Sequence, residues 1–180
     1  MARVTLARPP LNLLTPSLIA ELEAAFRALR DDPGLRLVVL EGAGRAFSAG
    51  VEVQAVRDLD PGGARALIES LHAAIRAVRE LDAVVLARLH GHVLGGALEL
   101  VLAADLRLAA ASCRLGMPEI TVGIPSVIEA ALLREWRRVD LEAAIALSMD
   151  AFAASYTTDE PRQAMQAFLA RRRDRWSGAP

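Results

Sequence analysis

Along the chain, the first apolar positions with a clear period lie between residues 16 and 30. Leu18, Ile19, Leu22, Ala25, Phe26 and Leu29 recur at the three-and-four spacing of one buried helix face. Thr15 followed by Pro16 supplies an N-cap and first-turn pair, so the pattern predicts a helix over Pro16–Arg30 that "DDPG" ends. Before it, "RVTLARPPLNLL" reads as a short edge strand stopped by two prolines. After it, the compact apolar run "LRLVVLEG" reads as a buried strand, and "GAGRAFSAG" as an irregular loop of glycine and small residues. A helix over about 64–80 comes next. The order then repeats as strand "AVVLARL", turn "GHVLGG", helix "ALELVLAA" and strand "DLRLAA", which predicts an α/β architecture. From about Ser126 the pattern is helical throughout, with "TDEP" as a start signal and the arginine run 171–173 in a last turn, where positive charge suits the helix dipole.

Composition changes this picture only by exclusion. The 180 residues are 53% hydrophobic with a mean hydropathy of +0.30, which suits one globular body with a real core. With 21 basic and 22 acidic residues the net charge is −1, so the broad basic footprint of a nucleic-acid binder is missing. Every basic residue is arginine, which rules out a Schiff-base lysine and leaves arginine to meet any phosphate. The single cysteine, Cys113, makes no internal disulfide and fits a reducing cytoplasm. The longest stretch free of charge, between Arg8 and Glu21, holds Pro9, Pro10 and Pro16, so neither a membrane span nor an export signal is expected.

The candidate chemistry sits in the two glycine segments. Strand-to-helix glycine turns leave backbone N–H groups unpaired, and two such turns facing each other make a clamp for an anion, such as a thioester enolate that develops during reaction. Glu99 lies three residues beyond Gly96, one helical turn on, and Glu119 follows Met117–Pro118 just past the next strand. Two carboxylates flanking one polarised substrate can divide the base and acid roles over a water. Spacing by itself leaves a plainer alternative open: the glutamates as surface or capping residues and the glycine pair as a packing device. A dinucleotide site is weaker than either, since no G-x-G-x-x-G follows a strand. No His, Cys and carboxylate cluster has metal-ligand spacing, and Ser48 has no recognisable histidine and aspartate partners. His90 and His92 read as structural or solvent contacts, Asp105 as a structural hydrogen-bonding residue, and Trp136 and Trp176 as packing residues.

At these residues the sequence resembles the crotonase family, the enoyl-CoA hydratase/isomerase superfamily. "LEGAGRAFSAGVEV" is similar to its first oxyanion-loop motif, "HGHVLGGALELVLAADLRLAAASCRLGMPEITVGIPS" to its second motif and active-site segment, and "ARPPLNLLTPSLIAEL" to its N-terminal pattern. The likeness spans residues 3–133. It implies a spiral of strand–strand–helix units as core (1–133) and a helical C-terminal region (134–180). It also implies that the N–H groups of Val51 and Gly96 form the oxyanion hole, and that Glu99 and Glu119 hold the water and exchange a proton with the α-carbon. Ala49, Gly50, Gly95, Pro118 and Gly123 would contact substrate, Gly50 and Gly95 by allowing close approach. Both glutamates together favour hydration of a 2-enoyl-CoA, or the reverse dehydration.

The same resemblance implies an acyl-CoA thioester partner, with coenzyme A arriving in the substrate and no further cofactor or metal. A cytoplasmic homotrimer or dimer of trimers is expected, and Arg45 and Arg57 are candidates for the CoA phosphates. Three departures stand out: Ala97 where a third glycine is common, Glu52 where aspartate is common, and a segment of several tens of residues missing where Leu133 meets Arg134. In the family that segment shapes the acyl pocket and supports the subunit interface; it is either lost in this protein or absent from this sequence, and a true deletion would leave a more open site. The rivals are isomerase, hydrolase or decarboxylase chemistry on the same clamp, and a shortened acyl-CoA-binding protein without turnover.

Overall fold

In the computed structural model, residues 1–122 and 141–177 are described. The elements in order are β1 (Ala2–Leu6), α1 (Pro16–Arg30), β2 (Leu37–Gly42), a one-turn α2 (Val53–Val56), α3 (Pro61–Arg79), β3 (Val84–Leu89), β4 (His92–Leu94), α4 (Gly96–Leu102), β5 (Leu106–Ala109), β6 (Arg114–Gly116) and a 3-10 turn (Glu119–Val122). Two helices follow, α5 (Leu141–Ser155) and α6 (Glu160–Ser177).

Helix α1 starts and ends where its sequence signals lie: the Thr15 side chain accepts from the Leu18 N–H, and Asp31 caps the last turn through its backbone. Ile19, Leu22 and Phe26 form its buried face, with Leu18, Ala25 and Leu29 half-buried beside them.

The strands form two parallel layers. One is a four-stranded sheet in the order β1-β2-β3-β5, with β1 at an edge as its prolines predict. The other pairs β4 with β6 and is extended by single bridges, Ser48 to Val93 and Leu14 to Val51. Each turn of the chain thus gives one strand to the larger sheet, then a short extended piece to the smaller layer, then a helix or tight turn. The pieces are β1, Leu14 and α1; β2, residues 48–51 and α2; β3, β4 and α4; β5, β6 and the 3-10 turn. This is a strand–strand–helix spiral.

Three expectations shift against this frame. The turn expected over "GHVLGG" holds strand β4, and only Gly95 remains as the turn. The larger sheet buries one face rather than two: Val38 and Leu40 are sealed in β2, and Val85, Ala87 and Leu89 alternate inward in β3, while β5 is exposed along its length, Leu106 and Leu108 included. Helix α6 runs on to Ser177, so the arginine run 171–173 lies a full turn before its end. The Ser126 start, Trp136 and the 133/134 junction lie outside the described residues.

A buried carboxylate went unread in the sequence. Glu41 on β2 is flanked in register by Thr5 and Arg88; its side chain pairs with Arg3 at 3.3 Å and Arg88 at 3.2 Å and accepts from the Thr5 hydroxyl at 3.4 Å. Such a charge stays inside only because cations sit on both sides of it.

The described chain divides into two compact units, Met1–Glu52 with Ser70–Met117, and Val53–Glu69 with Pro118–Pro180. The first contains both parallel layers, and the second contains the 3-10 turn and helices α5 and α6. Within the second, Phe152 packs on Tyr156 with ring centres 5.5 Å apart, and Arg65 pairs with Asp150.

Candidate functional site

The first glycine segment leaves β2 at Gly42, where a Cβ would lie 2.5 Å from the Phe47 backbone, so the chain can fold back on itself at once. Residues 47–52 then run between two neighbours. On one side the Ala49 N–H donates to Leu11 O (3.0 Å), Leu14 N–H to Gly50 O (2.9 Å) and Glu52 N–H to Leu14 O (3.0 Å). On the other, Phe47 N–H donates to His90 O (2.9 Å), Ser48 N–H to His92 O (3.0 Å) and Leu94 N–H to Ser48 O (3.2 Å). Val51 is passed over by both ladders, and its N–H has no acceptor among the described residues.

The second segment is shorter. Gly95 has φ of +55°, its N–H donates to Gly116 O (3.0 Å), and its carbonyl accepts from Leu98 (2.7 Å) and Glu99 (3.1 Å). The chain enters α4 at Gly96, whose N–H is one of the donors a helix start leaves over and which also has no acceptor among the described residues.

The two turns adjoin. A Cβ on Gly50, whose φ is +89°, would lie 2.7 Å from Leu94 O, and one on Gly96 would lie 3.2 Å from the Val51 side chain. Two backbone donors without acceptors are therefore presented from neighbouring turns, with glycine where a side chain would intrude.

Glu99 is half-buried on the first turn of α4, one helical turn beyond Gly96. Glu119 opens the 3-10 turn in the second unit, a turn closed by the Thr121 N–H and hydroxyl on Pro118 O at 2.9 and 2.6 Å. One of its carboxyl oxygens is buried with no hydrogen-bond partner among the described residues, and burial pushes the group above the ordinary carboxylate range, against a smaller downward pull from its own backbone N–H. Of the residues singled out from the sequence, Ala49, Gly50, Val51, Gly95, Gly96 and Glu99 share the first unit, Pro118 and Glu119 belong to the second, and Gly123 lies outside the described residues.

Residues 1–135 match the family model for enoyl-CoA hydratase/isomerase, well over half of the chain. The chain belongs to the enoyl-CoA hydratase/isomerase family. A probable enoyl-CoA hydratase of Bacillus subtilis is 32% identical over 125 residues, which are 69% of this chain and 48% of that protein. A carnitinyl-CoA dehydratase of Citrobacter koseri is 32% identical over 164 residues, covering 79% of this chain and 60% of its own. The chain thus spans about half the length of the curated relatives it matches. A crystal structure of an enoyl-CoA hydratase/isomerase from Mycobacterium paratuberculosis overlays with a TM-score of 0.77 across 92% of this chain and 93% of that one; at 20% identity this is a likeness of fold alone. The α/β crotonase fold is the strand–strand–helix spiral described above.

Several residues of this enoyl-CoA hydratase/isomerase family member take supporting places. Ser48 is fully buried and its hydroxyl accepts from the Gly50 N–H at 3.2 Å, a brace rather than a nucleophile. The His90 ring sits with Nε2 2.9 Å from Gly44 O, tying the rim of the first loop, while His92 is exposed. Arg57 pairs with its neighbour Asp58 at the surface, and Arg45 is exposed on the first loop. Among the described residues no group of three or more His, Cys, Asp or Glu is placed to hold a metal, and no helix is long and apolar enough to cross a membrane.

Sequence reasoning passed over Asn12. It is fully buried, with a φ of +49°, beneath the first loop. The signal was present: Asn12 is the sole asparagine of the chain, set in the apolar run "LNLL".

Proposed function

We propose that this chain acts as an enoyl-CoA hydratase-like lyase that adds water reversibly across the 2,3 double bond of an acyl-CoA thioester. The observation that carries the reading is the pair of adjoining backbone donors at Val51 and Gly96, both without acceptors among the described residues. The thioester oxygen accepts from both, so the charge that grows on it as the enolate forms meets fixed dipoles. One such donor is worth about 10²–10³ in rate.

Glu99 and Glu119 are the proposed proton-transfer pair. The oxygen of a water bonds to C3 while one of its protons goes to Glu99, and the Glu119 carboxyl gives a proton to C2 as the enolate collapses to the 3-hydroxyacyl thioester. Burial that pushes the Glu119 carboxyl up suits it to the donor role, because it holds its proton closer to neutral pH. Its place at the thioester comes from the resemblance, as do substrate contacts at Ala49, Gly50, Gly95, Pro118 and Gly123. A cytoplasmic homo-oligomer, trimer or dimer of trimers, belongs to the same reading.

The test is hydration of crotonyl-CoA by protein of confirmed mass, beside Glu99→Gln and Glu119→Gln. Each variant is expected to lose about 10²–10⁴ in kcat while remaining folded. Wild-type turnover by either variant removes that glutamate from the mechanism. A second reading is an acyl-CoA-binding protein without turnover or another crotonase-fold reaction. Acyl-CoA binding without product supports the former, and conversion of a 3-enoyl-CoA supports an isomerase.

A further inference from the structure

We infer that Asn12 is a positioning residue for the oxyanion donor at Val51, its carboxamide clasping the first glycine loop from inside; the inference rests on the reading of Val51 as a donor. The Asn12 Nδ2 group lies 2.8 Å from Ala43 O, 2.8 Å from Ala46 O and 3.1 Å from Phe47 O, so its two protons serve three converging carbonyls. Its Oδ1 accepts from the Arg8 N–H at 2.9 Å, and its own N–H donates to Arg8 O at 2.9 Å. Every polar atom of the side chain is used, and none reaches solvent.

The placement explains the residue type. The loop turns through 43–47 with three carbonyls facing inward, and only a compact side chain bearing two donors on one atom satisfies them together. Asparagine also tolerates the left-handed backbone at this position better than other side chains of that kind. Aspartate has the same shape and turns two lone-pair oxygens toward those carbonyls; glutamine is one carbon too long for a sealed site.

The clasp and the donor are mechanically linked. From Asn12 the chain runs directly into Leu14, which pairs with Gly50 and Glu52 on either side of Val51, while the clasped carbonyls begin four residues upstream of it at Phe47. The same residue thus fixes the loop's curvature and the strand edge against which Val51 is registered. A shift of about 1 Å at a catalytic donor costs on the order of 10²-fold in rate.

The experiment uses Asn12→Asp and the milder Asn12→Ser, read by two measurements on the full chain. The first is kcat and KM for crotonyl-CoA hydration. The second is the isotope-edited infrared frequency of the thioester carbonyl of bound butyryl-CoA, which falls when the oxyanion hole polarises it and needs no turnover. A stability control, Leu22→Val in α1, lies away from the loop. The expected result is a kcat reduced about 10–100-fold in Asn12→Asp with KM within about threefold, and less in Asn12→Ser. The carbonyl frequency should return toward its value in water in the same order, and Leu22→Val should leave both unchanged. If the wild type lowers the frequency and both Asn12 variants lower it equally, the clasp is only structural and the inference is overturned. If the wild type itself does not lower it, the reading of Val51 as a donor fails and the inference falls with it.

Discussion

The two turns that present Val51 and Gly96 offer the same group, a backbone N–H, and are built in opposite ways. The second is local: Gly95 adopts a left-handed conformation, its carbonyl is taken by the next turn of its own helix, and the unpaired donor follows from helix geometry. The first is a loop of some ten residues with no regular structure of its own. It is held by Leu11 and Leu14 on one edge, by His90, His92 and Leu94 on the other, by Asn12 beneath and by the Ser48 hydroxyl within. A donor at a helix start comes with the helix, whereas one in a loop has to be fixed from several distant parts of the chain. Damage to the first turn should therefore arise from many remote positions, and damage to the second from few.

The largest effect that would sharpen this contrast is expected at Gly91, which packs its backbone against the first loop. Its φ is +58°, and a Cβ there would lie 2.1 Å from Arg45 O in the first loop. Gly91→Ala should destabilise by about 4 kcal/mol in urea unfolding, at the upper end for point mutations. Gly44→Ala, equally left-handed at φ +75° but with nothing within 4 Å, should cost only about 1 kcal/mol. Equal losses at the two sites would mean that backbone conformation, not contact between the regions, sets the cost.

Next comes Gly50→Ala, which sets a methyl 2.7 Å from Leu94 O and pushes the turns apart. A loss of about 10²–10³ in kcat/KM is expected, read as steady-state hydration by folded protein. Retained activity would show that the two donors tolerate separation. His90→Phe removes a single bond to the rim of the first loop; about 1 kcal/mol of stability and less than a tenfold change in kcat are expected.

The smallest effect lies in the second unit. A carboxyl with a raised folded pKa binds its proton more tightly folded than unfolded, so stability falls as pH rises from the ordinary carboxylate value through the raised one and is level above it. Glu119→Gln removes that cost. Its Tm should rise by about 1–3 °C at pH 7 while the acid-side slope flattens, measured as Tm against pH beside the wild type. A lower Tm at neutral pH would show that the carboxylate is held by a favourable partner.

Local pattern accounted for much of the fold. Helix α1 was legible from end to end because a three-and-four apolar period, an N-cap threonine and a closing "DDPG" are statements about adjacent residues. Strands β1, β2, β3 and β5 and the start of α3 to within a few residues were legible for the same reason. The Gly95–Gly96 turn was visible too, since its geometry depends on its own few residues. Strands β4 and β6 were not, being three residues each and defined only by pairing with one another.

What only the tertiary structure decided was where the buried polar groups find their partners and which apolar runs stay uncovered. Glu41 reads as one more acidic residue until β1 and β3 bring Thr5, Arg3 and Arg88 beside it. Asn12 goes unnoticed in an apolar run until three carbonyls from 31 to 35 positions away close on it. Leu106 and Leu108 read only as apolar positions of a strand until β5 proves to be the last strand of its sheet and leaves them exposed. Periodicity encodes which face of an element turns inward, a property of neighbours on one chain segment. The identity of the group waiting there belongs to another segment, and it is the satisfaction of buried hydrogen-bonding groups across that distance that sets the first turn of the site in place.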